Sequence, residues 1–543
     1  MTLKVSLLIK CFIITLIFIF SFSSAVATTT TTTGSINWWC TQTPHYQTCS
    51  HYVADHNISS ATISAKEFLD ITVKAAIDEA RVVLKRSQKI ESKYPYNARG
   101  KSSWRNCVEY FDGIVFTLNE VLDHRLKPTP HNIQTWLSAG LTYITMCENE
   151  FKLINMTNNI LPTISVNLKE LLLNSLAISV VIRRASTNNI IPNGGLVNQN
   201  ISNKNTLSTY LAQDEPDVVV AQDGSGDFNT IQEAVNSADS RRRSDRFVIY
   251  VKAGTYNEQV IIPKEVQYIT MYGDGINQTI VSGDRNLGAN NLRTMSSQYL
   301  QDTATFLWFI WIAEVWSRGF MARDMTFRNT AGSELHQAVA LLSGSDQSVV
   351  YRCSIEGYQD TLYTTQYTQF YKDCKIFGTV DFIFGDAQAV FQDCDIFVRK
   401  PYPHGGLVVT SHGRTFENES TGYSLQGCKI VAGDDLKPII GQIKPSFLGR
   451  PWRPYARTIF MQSFLDDIID PQGWLDDQGY YETLYYGEYQ NNGPGSSTDN
   501  RVNWPGYHII VDQDTANEYT VANFISGNDW LPATGVPFTP GLY

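Results

Sequence analysis

A tripeptide of the form Cys-x-Ile occurs at Cys353-Ser354-Ile355, returns at Cys374-Lys375-Ile376 and Cys394-Asp395-Ile396, at intervals of 21 and 20 residues, and recurs at Cys428-Lys429-Ile430. The text around it is made of short β-branched and aromatic runs punctuated by Gly and Asn; Phe247-Val248-Ile249-Tyr250-Val251 is an example. Such runs read as strands. A repeat of about 20 residues in strand-rich sequence is that of a parallel β-helix, whose coils stack at about 4.8 Å. Residues one period apart then form ladders along the axis. The cysteines become an inward-facing stack, in which a free thiol packs as a small apolar group.

The same period organises the polar residues. Asp360 lies in Gly357-Tyr358-Gln359-Asp360-Thr361-Leu362-Tyr363, and Asp381 in Gly378-Thr379-Val380-Asp381-Phe382-Ile383-Phe384-Gly385. Their spacing is 21 residues, and Gln337 precedes Gln359 by 22. Three successive coils therefore present Gln337, then Gln359 with Asp360, then Asp381, on one patch of the wall. Two carboxylates one rung apart do not both ionise easily, so one stays anionic while the other's pKa rises. That separates a nucleophile or base from an acid. Neighbouring glutamines offer neutral N–H donors suited to an oxyanion. The plainer alternative is a polar ladder that only stabilises turns. Downstream, Gly449-Arg450-Pro451-Trp452 puts Arg450 and Trp452 on one side of an extended strand. Arg offers a planar fork for a carboxylate, and Trp a flat apolar face for a sugar ring.

The chain has 543 residues and predicts more than one domain. Its net charge of -10 argues against nucleic acid as a partner. At the N-terminus, Lys4 and Lys10 flank the apolar run Cys11 to Phe20, and Ala25-Val26-Ala27 has a small-x-small form. This predicts a signal peptide over residues 1–27, a secreted protein, and no membrane segment after cleavage. Sequons at Asn57, Asn155, Asn200, Asn277 and Asn418 fit a secreted surface. Of nine cysteines, eight remain after the signal, an even number in an oxidising compartment. Residues 36–182 show apolar residues at helical spacing, for example Phe68, Ile71, Ala75 and Val82. Residues 183–216, rich in Asn, Ser and Thr, read as a linker. Residues 217–543 carry the strand text.

Cys40, Cys49, Cys107 and Cys147, with Thr135-Trp136-Leu137-Ser138-Ala139 leading to the last, resemble the invertase and pectin methylesterase inhibitor family. The resemblance implies an all-α four-helix bundle with disulfides Cys40–Cys49 and Cys107–Cys147. In the second half, Asp223-Gly224-Ser225-Gly226-Asp227-Phe228, Gly357 to Leu362, Asp381 to Gly385 and Gly449 to Trp452 resemble the pectin methylesterase signatures, in that family's order. The likeness implies an all-β right-handed parallel β-helix that demethylates homogalacturonan in the cell wall. It implies Asp381 as nucleophile, Asp360 as acid and base, and Gln359 and Gln337 at the oxyanion, with Gln337 also touching substrate. Arg450 would orient Asp381, and Trp452, with Phe384, would line the groove. The family uses no metal or organic cofactor; its partners are pectin and inhibitor proteins, here including the chain's own helical region. Resemblance also favours a Cys394–Cys428 bridge, leaving Cys353 and Cys374 free.

Three features depart from the family pattern. The apolar run Phe306 to Ile312 interrupts a segment that usually passes directly into a short strand. Leu300 stands where many members place a substrate-contacting Thr. Arg183-Arg184 is the nearest candidate for a dibasic processing site, while Arg241-Arg242-Arg243 reads as a solvated loop. Neither Gly-x-Ser-x-Gly nor His-Glu-x-x-His nor Cys-x-x-Cys occurs, which disfavours a serine esterase of the α/β-hydrolase type and a zinc site. The competing expectations are another β-helix pectin-acting enzyme, a glycosidase or lyase, and an inactive or inhibitor-type binding protein.

Overall fold

The structure, a computed structural model, describes residues 33–53, 62–93, 98–152, 161–188, 215–238, 246–263, 266–288, 300–308, 318–403 and 405–543. The expected signal peptide, Arg241-Arg242-Arg243 and the end of the apolar run from 309 lie outside the described residues.

Two short helices, Ile36–Thr41 and Tyr46–Val53, lead into four long ones: α1 (Ala65–Lys93), α2 (Ala98–Leu122), α3 (Pro130–Lys152) and α4 (Leu161–Asn188). Each long helix packs against two others in a closed ring, α1 on α2, α2 on α3, α3 on α4 and α4 on α1. Disulfides Cys40–Cys49 and Cys107–Cys147 are formed, the second tying α2 to α3. Phe68, Trp104, Phe111 and Phe151 fill the centre. Helix α4 runs on to Asn188, past the expected boundary at 182. Composition suggested a linker there, but Arg183 donates to Gln134 Oε1 at 2.9 Å and to the Asn523 carbonyl at 3.3 Å. Tertiary contacts hold a turn that local propensity alone does not specify. Arg183-Arg184 is therefore helical.

From Val218 onward the chain winds through three parallel sheets of 11, 8 and 7 strands, and seven successive coils between Phe247 and Pro451 each give one strand to each sheet. Residues one coil apart stand in register: Lys375 faces Ser354 on one side and Asp395 on the other, and Asp395 faces Lys429. This register explains the repeated tripeptide. Its Ile forms a fully buried column of Phe327, Ile355, Ile376, Ile396, Ile430 and Leu465. Each such side chain contributes roughly 1.5–3 kcal/mol by leaving water. The residue before each Cys turns the corner between two sheets in the left-handed region: Arg352, Asp373, Asp393 and Gly427 have φ of 49°, 53°, 55° and 65°. Asp and Gly tolerate that conformation best.

The Cys394–Cys428 bridge is not formed; Cys353, Cys374, Cys394 and Cys428 are all free and buried. Cys394 sits in register between two other thiols. Three of the thiols also bond to the coil before them, Cys374 to the Val350 carbonyl at 3.2 Å, Cys394 to that of Tyr371 at 3.6 Å and Cys428 to that of Phe391 at 3.4 Å, while Cys353 bonds to the Tyr351 carbonyl at 3.4 Å. The ladder is satisfied as a stack of thiols.

Candidate active site

The seven-stranded sheet carries the polar patch. Its relevant strands are β1 (Leu341–Ser343), β2 (Leu362–Thr364), β3 (Val380–Gly385), β4 (Val408–His412) and β5 (Phe447–Pro451). Leu362 pairs with Ile383, so Asp360 and Asp381 occupy equivalent places on successive coils. The Asp360 N–H donates to the Val380 carbonyl at 3.2 Å, one residue before Asp381. Gln337 forms an isolated parallel bridge with Gln359. Pairing of β3 with β4 shifts between Val380 and Ile383, a bulge at Asp381 and Phe382. Bulges re-aim side chains. Both aspartates have positive φ, 61° for Asp360 and 52° for Asp381. This is the left-handed geometry that Asp tolerates and that the corner residues Asp373 and Asp393 also adopt. Gly385 (φ 126°) closes β3, where a Cβ would lie 1.8 Å from the Thr364 carbonyl oxygen. No other residue fits there.

Gln337, Gln359, Asp360, Asp381, Arg450 and Trp452 all line one cavity of about 650 Å³. Every sequence-predicted site residue is thus brought to the same place. Arg450 donates from Nε to Asp381 Oδ1 at 2.8 Å and from Nη2 to Oδ2 at 2.5 Å. This is the two-point fork that holds a carboxylate in its charged form. Asp360 has no such partner. Its pKa is pushed well above the ordinary value, first by burial and then by the Asp381 charge, with Arg450 opposing. The two carboxyls therefore differ in environment: Asp381 is clamped by a guanidinium, while Asp360 is driven towards its protonated form. Phe384 stacks on Tyr363 at 4.4 Å and meets Trp452 edge-on at 6.1 Å, giving the cavity an aromatic side.

Leu300 lines the same cavity, so the position where a Thr was expected presents a methyl-bearing surface. Phe306–Trp308 pair with β1 and with Val260–Ile262, so the apolar run begins as an ordinary strand, and the coil carrying Gln337 keeps its place. The signature Asp223 to Phe228 lies far from the cavity. It forms a turn in which Asp223 accepts from the Ser225 N–H at 2.9 Å.

Two contributions had no sequence signal. Asp477 accepts a hydrogen bond from Arg450 Nη1. Its coil is longer than the repeat, so no periodicity marks it. The bundle also roofs the cavity: Tyr110, Met146, Asn149 and Glu150 line it opposite the aspartates. Glu150 accepts from Gln301 Nε2 at 2.8 Å, and burial pushes its pKa up to about 7. Helix α3 docks along the wall beside the cavity. Trp136 Nε1 donates to Asp346 at 2.9 Å, Thr142 to Asp386 at 2.8 Å, and Arg318 sits over the Trp136 ring at 4.8 Å while pairing with Glu120 at 3.3 Å. The Thr135 to Ala139 text is buried throughout because α3 faces bundle on one side and β-helix on the other.

The pectinesterase family model matches residues 217–528. The chain belongs to the pectinesterase family. Its helical half matches the plant invertase/pectin methylesterase inhibitor model over residues 34–178. The esterase is 41% identical to pectinesterase 2 of Citrus sinensis over 93% of this chain and 94% of that one. It is 40% identical to the probable pectinesterase/pectinesterase inhibitor 17 of Arabidopsis thaliana, again over 93% and 94%. A solved pectin methylesterase from carrot aligns at a TM-score of 0.57 with 45% identity, covering 60% of this chain and 98% of that one. The enzyme is a carboxylic ester hydrolase that demethylates cell-wall pectin. Among the described residues of the pectinesterase, no helix is long and apolar enough to cross a membrane.

Proposed function

We propose that the cavity demethylates homogalacturonan through a covalent acyl-enzyme. The observation that carries this reading is the asymmetry of the aspartate pair: Asp381 is clamped by Arg450, while Asp360 is driven towards its protonated form. An Asp381 oxygen attacks the methyl-ester carbonyl, and the developing oxyanion takes amide N–H donors from Gln337 and Gln359. Asp360 gives its proton to the departing methoxide, which leaves as methanol. Water then attacks the acyl-enzyme, loses a proton to Asp360, and frees the uronate with Asp381 restored. Trp452 and Phe384 supply the face on which the sugar ring rests.

The same pair of carboxylates would also suit a retaining glycosidase. The glutamine donors favour an ester carbonyl. Purified protein acting on methylated pectin is expected to release methanol with no new reducing ends. Chain cleavage without methanol would overturn the reading.

The sign of the pH effect follows from Asp360. Its folded pKa is raised, so the acid form is abundant below that value and activity falls as pH rises through it. The folded state also loses stability over the rise from the ordinary Asp value of about 3.9 to the folded one. Asp360→Asn is expected to lose roughly 10²–10⁴-fold in kcat. Relative to the unmutated chain it gains thermal stability as pH is raised. A stability difference that does not change with pH would show that Asp360 is not the buried acid.

We also infer that the enzyme is secreted to the cell wall and that its bundle restrains its own cleft. The first rests on the text of residues 1–27 and on the two disulfides. The second rests on the position of Tyr110, Met146 and Glu150 over the aspartates.

A further inference from the structure

Arg450 uses only two of its three nitrogens on Asp381. The third, Nη1, donates to Oδ2 of Asp477, an oxygen that also accepts from Gln478 Nε2 at 2.9 Å. The Asp381 side chain is 11% exposed and that of Asp477 is 30% exposed. Asp477 therefore stands at the rim, on the edge of the guanidinium that would otherwise face incoming polymer.

The chemistry makes that edge important. The substrate group is a neutral methyl ester, and the product formed at the same place is a carboxylate. A guanidinium with an open edge binds carboxylates strongly and in a fixed geometry. Left open beside the nucleophile, it would hold the acid just made, and equally the free acid of any unit already demethylated. With Asp477 present, both donating edges of Arg450 are taken by carboxylates, Asp381 on one and Asp477 on the other, and no open fork is left for a uronate.

We propose that Asp477 is a specificity-determining residue that closes the free edge of Arg450, so that the cavity takes esterified units and sheds the acid it makes. The inference rests on acyl transfer occurring at Asp381 and adds a preference that the catalytic steps do not require.

The test uses the full chain and two polymers, highly methylated pectin as substrate and polygalacturonate as competitor. The docked bundle excludes both to the same degree, so it cancels from the ratio of the competitor's Ki to the substrate's KM. Asp477→Asn removes the charge and is expected to lower that ratio roughly tenfold, the weight of one charge-assisted hydrogen bond. Asp477→Glu restores a carboxylate and keeps the ratio within about twofold of the unmutated value. A purely structural role would lower kcat in both variants and leave the ratio alone, and that result overturns the proposal. So does an unchanged ratio in Asp477→Asn. If the unmutated chain releases no methanol even after the linker is cut, the catalytic reading fails. Direct binding of the two polymers to the unmutated chain and to Asp477→Asn then decides the role of Asp477 by itself.

Discussion

Asp381→Ala is expected to lower methanol release by roughly 10⁴-fold or more while the protein stays folded. The size follows from what the substitution removes. Without the carboxylate there is no atom to form the acyl-enzyme, and only the amide donors and the aromatic wall remain. The fold should survive, because Asp381 sits at a bulge on the cavity wall and not in the column of buried isoleucines. Its loss leaves Arg450 on Asp477 alone. That guanidinium side chain is 29% exposed, so water takes up part of the vacated fork. The measurement pairs a methanol assay with a thermal melt. A folded variant retaining about a hundredth of the activity would take the nucleophile role away from Asp381, since bound donors alone give far less.

The reach of the sequence is set by periodicity. Asp360, Asp381, Gln337 and Gln359 were legible because a parallel β-helix converts a separation of one period into contact between coils. Arg450 and Trp452 were legible as a pair two residues apart, although β5 ends at Pro451, between them. Asp477 was not, because its coil is longer than the repeat: Trp474 pairs with Gly449, 25 residues earlier, and Asp477 meets Arg450 across 27 residues. The free Cys394 was misplaced for a related reason. Resemblance favoured a bridge to Cys428, whereas register puts a thiol on each side of Cys394 and a carbonyl within reach of each sulfur. The end of α4 failed differently. Polar composition after 182 suggested a linker, but Arg183 is held by Gln134 and by the distant Asn523. Docking of one half on the other leaves no local pattern in either.

That docking carries the second large effect. Trp136→Ala is expected to raise methanol release by the full chain roughly tenfold or more, in the opposite direction to the aspartate variants. Trp136 is 3% exposed, its N–H is bound to the Asp346 carboxylate, and Arg318 lies over its ring. A buried tryptophan anchored by a charged partner is the kind of contact whose truncation costs about 2–4 kcal/mol at an interface. The gain in activity is smaller than that energy implies, because the linker keeps the bundle at high local concentration and part of the loosened population redocks. Trp136 also belongs to the buried cluster of the bundle itself, so the contact must also be broken from the other side. Arg318→Ala leaves every bundle residue in place, yet it removes the cation over Trp136 and the partner of Glu120. If the bundle restrains the cleft, both substitutions raise activity, and their effects combine less than additively because they break one contact. If activity is the same in the full chain, in both variants and after the linker is cut, the helices over the aspartates are a passive cover, and restraint of the cleft by its own bundle is wrong.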